Sequence, residues 1–245
     1  MRRWLLAGCV AGIVGLVLQA PLHAADGASP AASVERGAQL FALSCATCHG
    51  ANGTGGVAPS LVGVGEAAAD FQLRTGRMPR TSLDTGQAPR KPPAFNDEGI
   101  RDLVAYVASL GDGPAIPNVT AGSDVQRGMS LFIGNCAPCH GASAGGGVVG
   151  GGAIAPALRD VSPTLVGEAM LTGPGQMPKF PLPSGDVDAI AGYLAMLNGT
   201  PAHGGLDIGA AGPVPEGFVA WLVGIGLLVL IAWLVGRQWG APNER

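Results

Sequence analysis

The sequence predicts an all-α protein: two similar small domains in tandem, followed by one C-terminal membrane-spanning helix. Three observations lead to this prediction. An internal repeat relates residues 30–113 to residues 121–199. Within each copy, apolar residues recur at the three- and four-residue spacing of a helix face. Near the C-terminus, residues 218–235 form an uncharged, mostly apolar run of 18 residues, which is long enough to cross a bilayer.

The repeat is visible in several pairs of short segments. Residues 36–41 and 127–132 both read Arg-Gly-x-x-Leu-Phe, and each segment begins at the same distance before a cysteine. Further pairs are Val57–Leu61 with Ile154–Leu158, Thr75–Pro79 with Thr172–Pro178, and Leu103–Val107 with Ile190–Leu194. We therefore expect a first domain over residues 30–113, a second over 121–199, a linker over 200–215 and a membrane helix over 216–237.

Each copy is predicted to contain a first helix, a short turn, a long loop and a closing helix. In the first helix of domain 1, Val34, Gly37 and Phe41 fall on one face. The closing helices carry apolar stripes at helical spacing, formed by Ile100, Leu103, Val104 and Val107, and by Val187, Ile190 and Leu194. Since glycine is unfavourable inside a helix, Gly37 and Gly128 predict that the first and closing helices cross closely at these positions.

The turn of each copy carries Cys-x-x-Cys-His, at residues 45–49 and 136–140. This is the attachment sequence for haem c, in which each thiol forms a thioether with a haem vinyl group and the histidine ligates the iron. Two haem c groups are predicted. The predicted covalent attachment sites are Cys45, Cys48, Cys136 and Cys139, and the predicted proximal ligands are His49 and His140.

Other uses of these four cysteines fit the pattern less well. A zinc site does not usually place a histidine directly after the second cysteine of a Cys-x-x-Cys pair. A thioredoxin-like pair requires a surrounding βαβ pattern, and none is visible. A disulfide framework spreads its cysteines through loops instead of repeating one pentapeptide. The fifth cysteine, Cys9, lies in the N-terminal segment.

The second axial ligand of each iron is predicted to be a methionine. Met78 and Met177 occupy equivalent loop positions, and each precedes a proline that stiffens the local chain. A thioether sulfur is a neutral donor that raises the haem potential compared with a second imidazole. Met129 and Met196 fall on predicted helices at core spacing, and we expect them to be core residues. Met170 has no counterpart in the first copy.

Charge excludes one class of partner and leaves a basic cluster to interpret. Residues 26–207 contain 15 acidic and 10 basic side chains, for a net charge of −5. No nucleic-acid partner is therefore implied. Two interpretations of the cluster remain open: a solvated loop with one or two residues near the haem carboxylates, or a docking surface for an acidic redox partner. The cluster surrounds the first methionine loop and consists of Arg74, Arg77, Arg80, Arg90 and Lys91.

The two ends of the chain predict its location. Residues 1–25 combine Arg2-Arg3, an apolar stretch and small residues, which is typical of a secretory signal peptide. A retained N-terminal anchor is the alternative. At the other end, Trp221 and Trp233 lie towards the two ends of the apolar run, as interfacial aromatics do. Arg237 and Arg245 follow that run, so the positive-inside rule places the C-terminus in the cytoplasm. We therefore expect a single-pass protein of the cell membrane with its haem domains on the extracytoplasmic side.

The order of helices, haem turn and methionine loop resembles the class I cytochrome c fold. The resemblance implies that the first and closing helices cross near a glycine and an aromatic residue, here Tyr106 and Tyr193. It also implies a role for Pro59 and Pro156, whose carbonyl oxygens would accept the second N–H of the proximal histidine. Such a bond fixes the imidazole ring and raises its basicity.

Longer segments resemble one particular family within that fold. The segments are Val57–Gly65, Thr75–Pro79, Arg90–Pro93, Met170–Pro174 and Gln176–Phe180. They are similar to the dihaem cytochrome c subunit of the actinobacterial-type cytochrome bc complex, a menaquinol:cytochrome c reductase. The resemblance covers nearly the whole mature chain and implies three partners: the cytochrome b subunit, the Rieske iron–sulfur subunit and a terminal cytochrome oxidase. The longer glycine tract of residues 145–152 departs from the family pattern.

Two other functional classes remain open from the sequence. One is a free-standing membrane-anchored carrier, or a cytochrome c subunit of an oxidase, because the haem motifs alone do not fix the partner. The other is a dihaem peroxidase, which needs one haem with an open coordination site. The presence of Met78 and Met177 for the two irons argues against a peroxidase.

Overall fold

The computed structural model describes residues 30–82, 88–200 and 213–239. The first domain contains α1 (Pro30–Ser44), α2 (Ala46–His49), α3 (Gly65–Arg74) and α4 (Asp97–Ser109). The second contains α5 (Val125–Asn135), α6 (Ala137–His140), β1 (Gly147–Val149), β2 (Ala153–Ala155), α7 (Pro163–Thr172) and α8 (Ser184–Gly199), and α9 (Pro213–Trp239) follows it. The predicted signal segment 1–25 and most of the predicted linker 200–215 lie outside the described residues.

The core of domain 1 lies where α1 crosses α4. Phe41, Ile100 and Leu103 are almost completely buried there. A Cβ atom at Gly37 would overlap the backbone oxygen of Asp102, so only glycine allows the two helices to approach this closely. The ring of Tyr106 lies beside the crossing, with its centroid 5.0 Å from that of Phe41. The predicted close crossing at this glycine is confirmed.

Domain 2 repeats this arrangement with α5 and α8. Phe132 and Ile190 are buried in its core. A Cβ atom at Gly128 would overlap the backbone oxygen of Ala189. The Tyr193 and Phe132 ring centroids are 5.4 Å apart. The same crossing therefore organises both domains, and the predicted all-α class with two tandem domains is confirmed.

The glycine tract of domain 2 is the one departure from helices and loops among the described residues. Strands β1 and β2 pair antiparallel, with Val148 opposite Ile154. Gly151 and Gly152 in the connecting turn have φ values of 65° and 77°, a left-handed region that glycine enters without a steric penalty. Each strand has only three residues, which is too short for alternating polarity to be recognised in a sequence.

Helices α3 and α7 were not predicted, since each lies inside what the sequence pattern indicated was a long loop. Ser162 caps the N-terminus of helix α7, because its hydroxyl accepts from the Leu165 N–H at 3.3 Å. Proline occupies the first position of the helix. Both are favourable helix starts. The two helices occupy equivalent places in their domains and pack against each other. They form the contact between the domains.

The segment joining the domains is hydrogen-bonded to both of them. The Ala67 N–H donates to the Pro114 carbonyl oxygen at 3.1 Å. Further along, the Gly122 N–H donates to the Asp188 carbonyl oxygen at 2.8 Å, and the Thr120 N–H donates to the Asp188 carboxylate at 2.9 Å. This segment therefore supports the domain arrangement that the α3–α7 contact creates.

The expectation that Met129 and Met196 are core residues is wrong. Both side chains are exposed, each to 39%, because they lie on the sides of α5 and α8 that face away from the helix crossing. The core position belongs to Met170 on α7, which is 3% exposed. Periodicity identified the helices correctly, and these two methionines were assigned to the wrong face.

Helix α9 is long and apolar enough to span a membrane. Its candidate span runs from Gly217 to Arg237 with a mean hydropathy of 2.7. None of its side chains is buried against the rest of the described chain. At its C-terminal end the Arg237 guanidinium lies 4.6 Å from the centroid of the Trp233 ring. An apolar helix that no protein surface covers fits contact with lipid.

Candidate haem sites

The Cys-x-x-Cys-His segment of each domain forms a single helical turn. In the first domain the Cys45 N–H donates to the Phe41 carbonyl oxygen at 2.8 Å, and the His49 N–H donates to the Cys45 carbonyl oxygen at 3.0 Å. In the second domain Cys136 is bonded to Phe132 in the same way, also at 2.8 Å. These bonds continue the first helix into the turn. As a result, both cysteines and the histidine of each motif start from one rigid element.

The histidine of each motif is oriented by a proline carbonyl. His49 Nδ1 lies 2.8 Å from the Pro59 oxygen, and His140 Nδ1 lies 2.9 Å from the Pro156 oxygen. Since a carbonyl oxygen can only accept, Nδ1 must carry the proton in both rings. The neutral ring then keeps its lone pair on Nε2, which is the form that ligates a metal. The chain thus holds both rings in the ligand tautomer.

The four motif cysteines differ in exposure: Cys136 is buried, Cys45 and Cys48 are half-buried and Cys139 is exposed. Burial, and secondarily the neighbouring Cys48, raises the pKa of Cys45 to about 11. Burial, with Cys139 as the lesser cause, raises the pKa of Cys136 to about 11. The described residues contain no group of three or more His, Cys, Asp or Glu side chains placed to hold a metal ion among themselves.

The second-domain motif and its methionine line one cavity of about 240 Å³. Cys136, Cys139, His140 and Met177 all face this space, whose other walls are mostly apolar. Met177 is held in its loop by a hydrogen bond from its own N–H to the Pro174 carbonyl oxygen at 3.1 Å. The structure therefore brings together four residues that the sequence predicted as one haem site. Two thiols, an imidazole and a thioether around an apolar space fit a covalently held haem c.

In the first domain, Met78 packs against the buried cluster that contains Leu73, and the partly buried Cys45 and Leu61 pack against the same cluster. Its N–H donates to the Gln72 carbonyl oxygen at 3.1 Å. Met78 and the cysteine end of the first motif therefore lie on one apolar core. The donor set matches that of the second domain: two cysteines, a histidine oriented by Pro59, and a methionine.

The basic cluster predicted around the first methionine loop does not form a single surface. Arg74 is bound on α3 to Asp70 at 2.7 Å and to Asp97 of α4 at 2.9 Å. Arg77 is only 7% exposed, and its guanidinium lies 5.0 Å from the centroid of the Phe71 ring. Arg90 lines the cavity of the second domain together with Arg77. The cluster therefore separates the ion-paired Arg74 from Arg77 and Arg90, which face the cavity.

A buried carboxyl pair lies at the contact between α3 and α7. Glu168 is completely buried, and no donor group of the described residues bonds to its carboxyl oxygens. The Asp70 carboxylate is within hydrogen-bonding reach of it, and such a bond requires one of the two carboxyls to be protonated. Burial, followed by the charge of Asp70, raises the pKa of Glu168 to about 8, and Arg74 opposes this shift. Asp70 is itself 3% exposed. Burial beside Asp70 therefore favours the protonated form of Glu168, which can donate its proton to the Asp70 carboxylate.

Sequence reasoning missed Glu168 and Asp70, and it did not find that Phe71 and Arg77 belong to the wall of the second cavity. The only available signal was Asp70 four residues before Arg74, a spacing that favours an ion pair on a helix. Nothing in the sequence indicates that these residues face the other domain, because that contact depends on how the two repeats dock.

Comparison with known proteins agrees with this geometry. The family model for cytochrome c matches residues 34–111. The family model for subunit III of cbb3-type cytochrome c oxidase matches residues 123–194. Each match contains one Cys-x-x-Cys-His turn and its methionine. The protein is thus a tandem cytochrome c that binds haem c covalently and works in respiratory electron transport.

Its relatives define the family more closely. The chain is 38% identical to the cytochrome bc1 complex cytochrome c subunit of Mycobacterium tuberculosis, over 93% of this chain and 86% of that protein. It is also 38% identical to the protein of the same name from Corynebacterium diphtheriae, over 84% of this chain and 82% of that protein. A cbb3-type cytochrome c oxidase subunit FixP from Sinorhizobium medicae is 32% identical over only 46% of this chain and 41% of that protein. The chain belongs to the family of cytochrome bc1 complex cytochrome c subunits, which confirms the resemblance noted from the sequence.

Proposed function

We propose that this chain carries electrons from the Rieske iron–sulfur subunit to a terminal cytochrome oxidase, as the membrane-anchored dihaem subunit of a quinol–cytochrome-c reductase. The observation that supports this most strongly is the length of the match to the bc1 complex subunits. It covers both haem motifs and 93% of the chain. A single cytochrome c domain shared with some other electron carrier would not extend across both domains.

We assign each domain one haem c. The thioether bonds are assigned to Cys45 and Cys48 in the first domain and to Cys136 and Cys139 in the second. His49 with Met78, and His140 with Met177, would ligate the two irons. The donor set of each domain fits this assignment, since Pro59 and Pro156 hold the two imidazoles in the metal-binding tautomer.

When bound, haem c supplies one-electron redox chemistry, and the residues of the chain set its position and surroundings. The helical turn orients the two sulfur atoms, the proline carbonyl orients the histidine, and the apolar walls exclude water. Methionine as the sixth ligand favours the ferrous state relative to a second histidine. No substrate pocket is required for this role, because the reaction is an electron transfer between proteins.

Helix α9 anchors the protein in the cell membrane in this proposal. Arg237 near the end of this helix, and Arg245 further along the sequence, would lie in the cytoplasm. Both haem domains precede α9 and would therefore lie on the extracytoplasmic side, within reach of the Rieske subunit. A stable complex with the cytochrome b subunit would then be assembled through the anchor and the haem domains.

Two experiments test this function. Purification in mild detergent through a C-terminal tag should retain the cytochrome b subunit, the Rieske subunit and the terminal oxidase. Membranes lacking this chain should still reduce cytochrome b with menaquinol, but should fail to pass electrons to the oxidase. Normal quinol-driven oxygen uptake through that oxidase, with no other cytochrome c compensating, would reject the proposal.

A cytochrome c subunit of an oxidase is the second candidate. It is favoured by one observation, namely that the second domain matches the family model for subunit III of cbb3-type oxidases. The same purification separates the two candidates. Recovery of oxidase subunits without cytochrome b or the Rieske protein would favour this alternative, whereas recovery of cytochrome b supports the bc complex.

A further inference from the structure

The cavity of the second domain has one wall built by the first domain. Phe71 and Thr75 at the end of α3, with Arg77 and Arg90 from the loops that follow, line the space that Met177 also lines. The haem site of domain 2 is therefore closed by residues that belong to domain 1.

Arg77 is buried in this wall, and no carboxylate of the described ranges balances its charge. It is 7% exposed, and its Nε atom has no hydrogen-bond partner. No carboxylate of the described residues pairs with either arginine. Because buried guanidinium groups are normally bonded to acceptors, an acceptor outside the described residues is indicated.

Several contacts fix the position of Arg77. Its guanidinium lies over the Phe71 ring at 5.0 Å, and Phe71 is itself buried. The backbone beneath it is held by the Thr75 hydroxyl, which donates to the Phe71 carbonyl oxygen at 2.6 Å. The Lys91 N–H donates to the Thr75 carbonyl oxygen at 3.0 Å. This bond holds the loop segment that carries Arg90 beside the end of α3. Two cations thus face one mostly apolar cavity.

A haem is an apolar macrocycle that carries two carboxylate groups, and it matches this combination of apolar walls and two unpaired guanidiniums. We propose that Arg77, with Arg90 beside it, binds the carboxylates of the haem attached to Cys136 and Cys139. The first domain then completes the haem site of the second. This inference rests on the proposed attachment of a haem to domain 2.

The proposed contact has a redox consequence. Arg77 directly precedes Met78, the predicted ligand of the other iron, so one dipeptide would serve both haems. A positive charge held near a haem favours its ferrous state, which carries one positive charge fewer than the ferric state. Removing that charge should therefore lower the midpoint potential of the second haem.

The test is a potentiometric titration of the full-length protein in its complex, comparing wild type with Arg77→Gln, Arg77→Lys and Arg90→Gln. The haem whose potential falls in Met177→His identifies the second haem. Exposed Arg101 on α4 supplies the matched control, Arg101→Gln. We expect Arg77→Gln to raise the oxidised-to-reduced ratio of the second haem about tenfold at a fixed potential, which is about 59 mV for a one-electron couple. Arg90→Gln should shift it in the same direction, and Arg77→Lys should preserve most of the wild-type potential because the charge is retained.

Mass spectrometry of each variant separates this inference from the proposed function. Two haems per chain in wild type, with the potential of the second unchanged in both Gln variants, would overturn the role of the arginines. The inference would also be overturned if the midpoint potential of the second haem fell equally in Arg77→Lys and Arg77→Gln, because the effect would then not depend on the charge. An equal fall in that potential in Arg101→Gln would overturn it too, because the effect would then not depend on this site. A wild-type chain without haem on domain 2 would instead refute the proposed function, and the inference with it.

Discussion

Replacing Glu168 with glutamine should stabilise the protein at neutral pH and flatten the pH dependence of its stability. Glu168 is completely buried between α3 and α7, and its pKa is raised from the ordinary 4.5 to about 8. The folded state therefore holds a proton that the unfolded state releases. Glutamine is neutral at every pH, and its amide N–H can donate to Asp70 as the protonated acid does.

The sign and size of the effect follow from linkage. A carboxyl whose pKa is higher in the folded state makes folding take up a proton between pH 4.5 and about 8, so wild-type stability falls as the pH rises through this window. At pH 7, protonating a carboxyl with a reference pKa of 4.5 costs about 3 kcal/mol. Glu168→Gln removes this cost. For a protein of this size, that corresponds to a rise in melting temperature of roughly 6–12 °C.

The measurement is thermal unfolding of the detergent-solubilised protein, followed by circular dichroism at several pH values between pH 5 and pH 8. Wild type and Glu168→Gln should have similar stability near pH 5 and diverge as the pH rises. Glu35→Gln is the matched control, because Glu35 is an exposed carboxyl on α1, and its curve should follow that of wild type. Parallel curves for wild type and Glu168→Gln across this range would refute the idea that Glu168 is buried in its protonated form.

Three further predictions concern the haems and the helix crossings. Cys136→Ala should abolish full thioether attachment in domain 2 and lower the covalently bound haem to one per chain, as measured by mass; two intact adducts would contradict the assignment. Met177→His should lower the potential of one haem while both remain attached, whereas the exposed Met129→His should change neither potential in a redox titration. Gly128→Ala should destabilise the protein by about 1–3 kcal/mol or more in denaturant unfolding, because its Cβ would overlap the Ala189 backbone. Gly134→Ala on the same helix, where a Cβ meets nothing within 4 Å, should be neutral or slightly stabilising; an equal loss in both variants would contradict the crossing argument.

The sequence by itself determined the features that depend on local spacing. Cys-x-x-Cys-His needs only one helical turn to place two sulfurs and an imidazole, so the pentapeptide predicts haem attachment without knowledge of the fold. The roles of its cysteines and histidines, and of Met78 and Met177, remain predictions. The crossings at Gly37 and Gly128 could also be predicted, because a glycine inside an amphipathic helix lowers stability unless a close contact with another element compensates for it. Periodicity did not show that Met129 on α5 and Met196 on α8 face solvent. A residue at the edge of an apolar stripe lies between the core and the solvent, so its spacing alone does not assign it to either.

Only the tertiary structure decided how the two repeats meet. Glu168 lies beside Asp70, and Arg77 enters the cavity of the other domain, because α3 packs against α7 and the joining segment is bonded to both domains. Those contacts link residues far apart in the chain, and no periodicity or motif encodes a pairing at that distance. The physical reason is that burial and unpaired charge are properties of a residue's surroundings, which exist only after the domains have docked. The fold therefore separates the basic cluster of the sequence: Arg74 is ion-paired on α3, whereas Arg77 and Arg90 face the second cavity.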